Sequence, residues 1–354
     1  MKTRHCLAAA AGLLFAGAAH AQSSVTLYGA LDEDVLYTSK SLNPTNGRNA
    51  GSQLSLVDSG WQASRFGITG SEDLGAGLRA LFKLESGINV TNGGFNDSNG
   101  NFFGRQAWLA LHSQYGEVKM GLQFSPFMLA LHDLDPRDFS FFGSTPLIYV
   151  NNAAATGIFT PNAISYSSPQ IAGFHGSALL SLGNVPGSFS AGRAYSASLN
   201  YRIGGLFIDA AFWDSNAGST TITPVPSTRE FEGRVIGASY HFGRVTATAS
   251  FTNYKVAGSF DNNVYGGGLE YSVSPAFTLN ATANYITDRN DTGNHSLLAS
   301  VGGQYSLSIR TTLYAQVGIV DNHGAMYSGL SLTGAKNLPV GTTFGADLGI
   351  RHTF

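Results

Sequence analysis

Along most of this chain, apolar and polar side chains alternate one residue at a time. "RVTATASFT" sets Val245, Ala247, Ala249 and Phe251 on one face and Thr246, Thr248, Ser250 and Thr252 on the other. "AFTLNATANYI" sets Phe277, Leu279, Ala281, Ala283 and Tyr285 against Thr278, Asn280, Thr282 and Asn284, and "TLYAQVGIV" sets Leu313, Ala315, Val317 and Ile319 against Tyr314, Gln316 and Gly318. Period two is the signature of a β-strand with one apolar and one polar side. Beyond the first residues no apolar run approaches the roughly 18 residues of a membrane-spanning helix. Sixteen strands are predicted, beginning near residues 24, 61, 78, 102, 116, 162, 174, 194, 206, 232, 244, 263, 276, 295, 311 and 342.

The connections alternate too. Short turns follow tyrosines, as in "LNYRIGGLF", "ASYHFGRV" and "LEYSVSPAF", and the tyrosines at 166, 201, 240, 271 and 305 recur at steps of 35, 39, 31 and 34 residues. Each step fits two strands of about ten residues, one tight turn and one longer loop. The longer loops are polar, for example "NVPGSFSAGR" and "TDRNDTGNH". Short turns at one rim, long loops at the other and tyrosines near the short-turn rim predict an antiparallel transmembrane β-barrel, with small and apolar residues toward lipid and Thr, Asn, Gln and Ser toward a polar interior. Sixteen strands enclose an aqueous channel. A soluble sandwich would place its apolar face in a core and has no use for tyrosine at one rim in hairpin after hairpin.

Composition fits that picture. Charged residues make up only 12% of the 354, there are 44 glycines, and aromatics reach 12%, whereas a typical soluble domain is about a quarter charged. Residues 1–21 read as a secretory signal peptide, with basic Lys2 and Arg4, the apolar run "CLAAAAGLLFAGA" and the small-residue stretch "AHA". The barrel domain is then 22–354. The single cysteine, Cys6, falls in the leader, so no disulfide is expected in the exported chain. Without Lys2 and Arg4, 18 basic residues stand against 22 acidic ones, a formal charge of −4 that does not suit nucleic-acid binding. Neither "HExxH" nor "GxSxG" occurs, and the nine histidines lack metal-ligand spacing. The chain is therefore read as a non-enzyme without metal or cofactor.

"SSVTLYGALD", "SRFGITGSEDLGAGLRALFKLESG", "GRQAWLAL", "AISYSSPQIAGFHGSALL" and the closing "GIRHTF" resemble the general diffusion porins of Gram-negative bacteria, of the β-proteobacterial and neisserial type. The resemblance spans Ser23 to Phe354. It implies a homotrimer in the outer membrane, in contact with lipid and lipopolysaccharide. It also implies a passage for small hydrophilic solutes, and a terminal aromatic, Phe354, that the barrel-assembly machinery reads as an address. On alternation Phe344, Leu348, Ile350, His352 and Phe354 share one face, with Asp347, Gly349, Arg351 and Thr353 on the other.

Between the fifth and sixth strands lie nearly forty residues, 124–161, far more than an ordinary hairpin loop. In the resembled family this third loop folds into the barrel and narrows it. Here Met128, Leu129 and Leu131 are expected to pack the loop on the wall, and Asp133, Asp135 and Asp138 to supply acid to the constriction. Across from it, alternation turns Phe66, Ile68, Leu78, Ala80, Phe82, Leu84 and Trp108 outward and Arg65, Arg79, Lys83, Glu85 and Arg105 inward, on three neighbouring strands. A charge on the lipid side near the midplane costs about 2–4 kcal/mol, which supports the inward placement. Acids facing bases set up a transverse field that favours compact polar solutes. Leu122, Phe159 and Thr160 stand where many relatives carry arginine, which predicts weak selectivity of either sign. Glu33 falls in the outward phase with Leu31 and Val35, at a subunit contact, an upper rim or a register break. The same fold admits a substrate-specific channel or an adhesion barrel as alternatives to a diffusion pore.

Overall fold

The computed structural model describes residues 24–152, 158–218 and 229–354. The expected leader lies outside the described residues. Sixteen antiparallel strand positions form one sheet that closes on itself. They are β1 (Ser24–Thr38), β2 in two pieces (Gln53–Asp58 and Arg65–Gly75), β3 (Leu78–Gly87), β4 (Gln106–Ser113), β5 (Gly116–Phe124), β6 (Phe159–Ser167), β7 (Phe174–Ser181) and β8 (Ala194–Ile203). There follow β9 (Leu206–Ser215), β10 (Phe231–Phe242), β11 (Val245–Val256), β12 (Asp261–Ser274), β13 (Phe277–Asp288), β14 (His295–Ser306), β15 (Thr311–His323) and β16 (Gly341–Thr353). Each strand pairs with its chain neighbours, and β16 returns to β1 in the register Ala30↔Thr353 to Thr38↔Gly345. Gly29 and Phe354 complete the seam by exchanging backbone hydrogen bonds of 3.0 and 3.1 Å. Closure leaves no edge strand in this sheet, so the wall strands pair on both sides.

Alternation predicts the two faces well. Asn280, Thr282, Asn284, Gln316 and Asp347 are buried inside, while Leu279, Tyr285, Val317, Leu348 and Ile350 are exposed outside. Tyr166, Tyr240, Tyr271 and Tyr305 are exposed near the short turns. Glu33 keeps the outward phase, and its carboxylate accepts a 2.9 Å hydrogen bond from Thr91 Oγ1 of the β3–β4 loop.

Three placements differ from expectation. The second strand is split: residues 59–64 leave the wall and turn inward, where the backbone N–H of Gln62 donates to Asp32 (2.9 Å) and the Trp61 ring lies 5.2 Å from the Arg351 guanidinium. The interior is also not uniformly polar. On β10 to β15 the inward positions Val235, Tyr254, Val264, Ile286, Leu298 and Val320 are buried and apolar, because a loop segment packs on them. Trp108, expected outside, faces inward. It pairs across with inward Lys83, donates its indole N–H to Gln106 (3.0 Å) and carries the Lys119 ammonium 4.6 Å from its ring. Arg105 precedes the regular strand, and both it and Gln106 reach Glu85, so parity counted from Arg105 slips by one at the entry to β4.

Val317, outward and midway along β15, tests the sidedness. Val317→Arg is expected to destabilise the barrel by about 2–4 kcal/mol in urea titrations of the protein in phospholipid vesicles. A loss below about 1 kcal/mol would place that face away from hydrocarbon.

Candidate functional site: a basic wall and the loop that faces it

The segment between β5 and β6 has its own structure. Ser125 caps α1 (Pro126–Asp133), its hydroxyl accepting from Met128 N–H at 3.1 Å, and Pro126 opens the helix where a missing N–H costs nothing. A tight turn follows, then α2 (Thr145–Asn152). Phe127, Leu131 and Leu134, at helical spacing, are buried against the inner face of the wall. Gly233 and Gly237 on β10 make this approach possible, since a Cβ at either would sit 2.6 Å from the Phe127 ring or 2.9 Å from Leu134.

Arg137 fixes the turn to the far wall. It is fully buried, and its guanidinium donates to Asn280 Oδ1 (2.9 Å), the Phe142 carbonyl (2.7 Å), Ser300 Oγ and Gln316 Oε1, on β13, β14 and β15. On the other side the inward segment of β2 holds the loop: Phe141 N–H donates to the Trp61 carbonyl (2.8 Å), and Gln62 Nε2 donates to the carbonyl and to Oδ2 of Asp138 (3.0 and 2.9 Å). The loop is thus tied to two parts of the inner wall.

The three loop acids have different surroundings. Asp135 is taken up inside the turn, with Oδ1 accepting from Arg137 N–H (2.7 Å) and Phe139 N–H (3.0 Å), and Oδ2 from Thr145 N–H (3.0 Å) and the Ser144 hydroxyl. These bonds hold Asp138 and Phe139 at φ of 55° and 56°, a left-handed pair that non-glycine residues seldom adopt. Asp133 and Asp138 are exposed. Asp133 lies 3.2 Å from His132 Nδ1, and this hydrogen bond raises the imidazole pKa above its ordinary value.

On the facing wall, Arg65, Lys83 and Arg105 come together around Glu85. The Glu85 carboxylate accepts from Arg105 Nε (2.9 Å) and Tyr28 OH (2.7 Å), with Lys83 Nζ at 3.4 Å and Arg65 Nε at 3.9 Å. Arg105 also pairs with Asp97 of the β3–β4 loop, and its guanidinium lies 5.2 Å from the Phe159 ring. One buried carboxylate thereby lets three like charges share a small patch. Arg79 does not join them. It is exposed and sits near the short turn after β2, paired with Asp73 and His112 in register. Leu122 stands across from Ala107. Arg65, Lys83, Glu85 and Arg105 line a cavity of about 220 Å³ whose opposite side is Met128, Leu129, His132 and Phe139 of the loop. Of the three apolar residues expected to anchor the loop, Met128 and Leu131 are buried and Leu129 is 47% exposed toward that space. Asp97 and Arg137 were not expected as partners, because each lies in an aperiodic loop where alternation assigns no face.

Among known families, the one described as Gram-negative porin matches residues 7–325. Outer membrane porin protein 32 of Delftia acidovorans is 31% identical over 98% of this chain and 99% of its own length. Major outer membrane protein P.IB of Neisseria gonorrhoeae is 27% identical over 84% of this chain and 88% of its own. The solved anion-selective porin from Comamonas acidovorans superposes with a TM-score of 0.80 at 26% identity, over 94% of this chain and all of that one. The chain belongs to the Gram-negative porin family.

Removing the Arg137 head group takes the donor from Asn280 Oδ1, the Phe142 carbonyl and Ser300 Oγ, each costing about 1–3 kcal/mol when buried and unpaired, while Gln316 Oε1 keeps the Ser140 hydroxyl (2.7 Å). Arg137→Met is therefore expected to leave the barrel folded while single-channel conductance rises and open-channel noise increases in planar bilayers. Unchanged conductance and noise would show that this residue does not hold the loop in place.

Proposed function

We propose that this Gram-negative porin forms a water-filled channel in the outer membrane, through which small hydrophilic solutes and ions diffuse passively. The observation that carries the reading is the gap between the basic patch on β2–β4 and the 126–152 segment tied across the interior. A tube of sixteen strands is wide, so discrimination has to come from a narrowing and the fixed charge around it. Arg65, Lys83 and Arg105 form the basic side. Asp133 and Asp138 form the acidic margin, and Asp135 acts through the shape of the turn. Arg79 serves the short-turn vestibule. Glu85 and Asp97 offset much of the positive charge, so preference between anions and cations is weak.

The assembly is a trimer. The β3–β4 loop exposes Phe95 and Phe102, the latter packed edge-on to outward Phe66 at 6.1 Å, and this apolar patch is suited to a second copy of the chain. The outward face meets lipid and lipopolysaccharide. Phe354, paired with Gly29 at the seam, serves as the residue read by the barrel-assembly machinery. Catalysis has no part in this function.

Reversal potential in a salt gradient tests the loop's role. A unit charge about 8 Å from the permeation path in a water-like dielectric contributes ~0.5 kcal/mol, about a twofold change in relative permeability. Asp133→Asn with Asp138→Asn is expected to raise the chloride-to-potassium permeability ratio by about that factor or more. Asp135→Asn is expected to raise open-channel noise instead, by loosening the turn. An unaltered reversal potential in the double variant would remove Asp133 and Asp138 from charge selection.

A further inference from the structure

The slot's two sides are chemically unlike. On one, Arg65 and Lys83 keep about a quarter of their side chains accessible (24% and 25%), while Arg105 is sealed by Glu85, Asp97 and Phe159. Arg65 commits Nη1 to the Ala63 carbonyl at 2.8 Å, and Lys83 lies 3.4 Å from one Glu85 oxygen, so both retain donors for a solute. On the other side the loop presents half-exposed Leu129, backed by buried Phe139, which lines the same cavity with its ring 5.3 Å from that of His132. Asp133 and Asp138 turn to His132 and Gln62. A passage that rewarded only compact, hydrated ions would have no use for a half-exposed leucine lining the cavity it shares with the basic wall.

We infer that the slot between Arg65, Lys83 and Leu129 favours amphipathic monoanions, a carboxylate on a flat apolar body as in an aromatic monocarboxylate, over compact hydrophilic anions. The inference rests on the channel reading above and names the solute class of the same gap. A carboxylate at the basic wall exchanges water for charge-assisted hydrogen bonds from Arg65 and Lys83. Its ring then covers Leu129 and lies beside the His132–Phe139 pair, removing apolar area from water on solute and protein together. Acetate gains the first interaction alone, and a neutral sugar gains neither. A volume of about 220 Å³ suits a single-ring acid, below the usual size of a site for larger ligands.

The test is single-channel recording in potassium chloride at pH 7.5, with benzoate or acetate added to both sides. Benzoate is expected to reduce the chloride-carrying current saturably, with a half-effect concentration about tenfold below that of acetate, the ratio that coverage of one apolar side chain supplies. Leu129→Ser is expected to bring the two half-effect concentrations within about threefold of each other, and Leu129→Phe to widen the gap. Arg65→Gln is expected to raise both. Equal effects of benzoate and acetate on wild-type channels that conduct normally would overturn this inference and leave the porin function standing. So would a benzoate preference that survives Leu129→Ser intact. Folded protein that gives no current at all would overturn the channel reading itself.

Discussion

A strand that crosses hydrocarbon can hide polar side chains on one face only, and the other arrangements in this barrel follow from that. With sixteen strands closed into a ring, the backbone is satisfied within the wall, and the side chains divide between outside and inside with period two. Charge and hydrogen-bonding capacity are concentrated on the inner face, where they must either meet water or satisfy one another. Both happen here. Around Glu85, five partners converge on one carboxylate and leave Arg65 and Lys83 partly open to the interior. Around Arg137, a lone cation is buried among neutral acceptors supplied by three strands and its own loop.

The second arrangement makes the first functional. Apolar inward residues on β10 to β15 seat the loop, and Arg137 fixes its register there, so the loop's other flank stands at a defined distance from the basic wall. The inward piece of β2 completes the strap from the near side through Trp61 and Gln62. Wall and loop are therefore parts of one network, held by hydrogen bonds at the rim of the gap through Gln62 and far from it through Arg137. In the proposed channel, disturbing Asp135 or Arg137 is expected to change the aperture, whereas changing Leu129 or Arg65 is expected to change what the aperture favours.

Much of this was legible in the sequence, because alternation is a direct consequence of lipid on one side. The sixteen strand positions and the inward set of Arg65, Lys83 and Glu85 follow from counting by twos. Parity fails where the chain leaves the regular strand. The second strand was expected to begin near residue 61, inside what is an inward break over 59–64, and Trp108 lies just after an irregular entry, so its face was assigned by a count that the backbone had already shifted. Loops give no parity at all, which is why neither Asp97 nor Arg137 was anticipated as a partner. Leu129 illustrates a third limit. Composition marks the loop as apolar, but only the helix it lies on decides that Leu131 turns to the wall and Leu129 to the opening.

The sorting of faces is tested most directly by cysteine substitution along β11, in a chain whose only native cysteine is Cys6. With folded protein in lipid vesicles, a charged, membrane-impermeant thiol reagent is predicted to label cysteines at 246, 248 and 250, in place of Thr246, Thr248 and Ser250. Cysteines replacing Ala247, Ala249 and Phe251 are predicted to stay protected. Equal labelling of the two sets, or labelling of the alanine set alone, would contradict a barrel with lipid outside and water within.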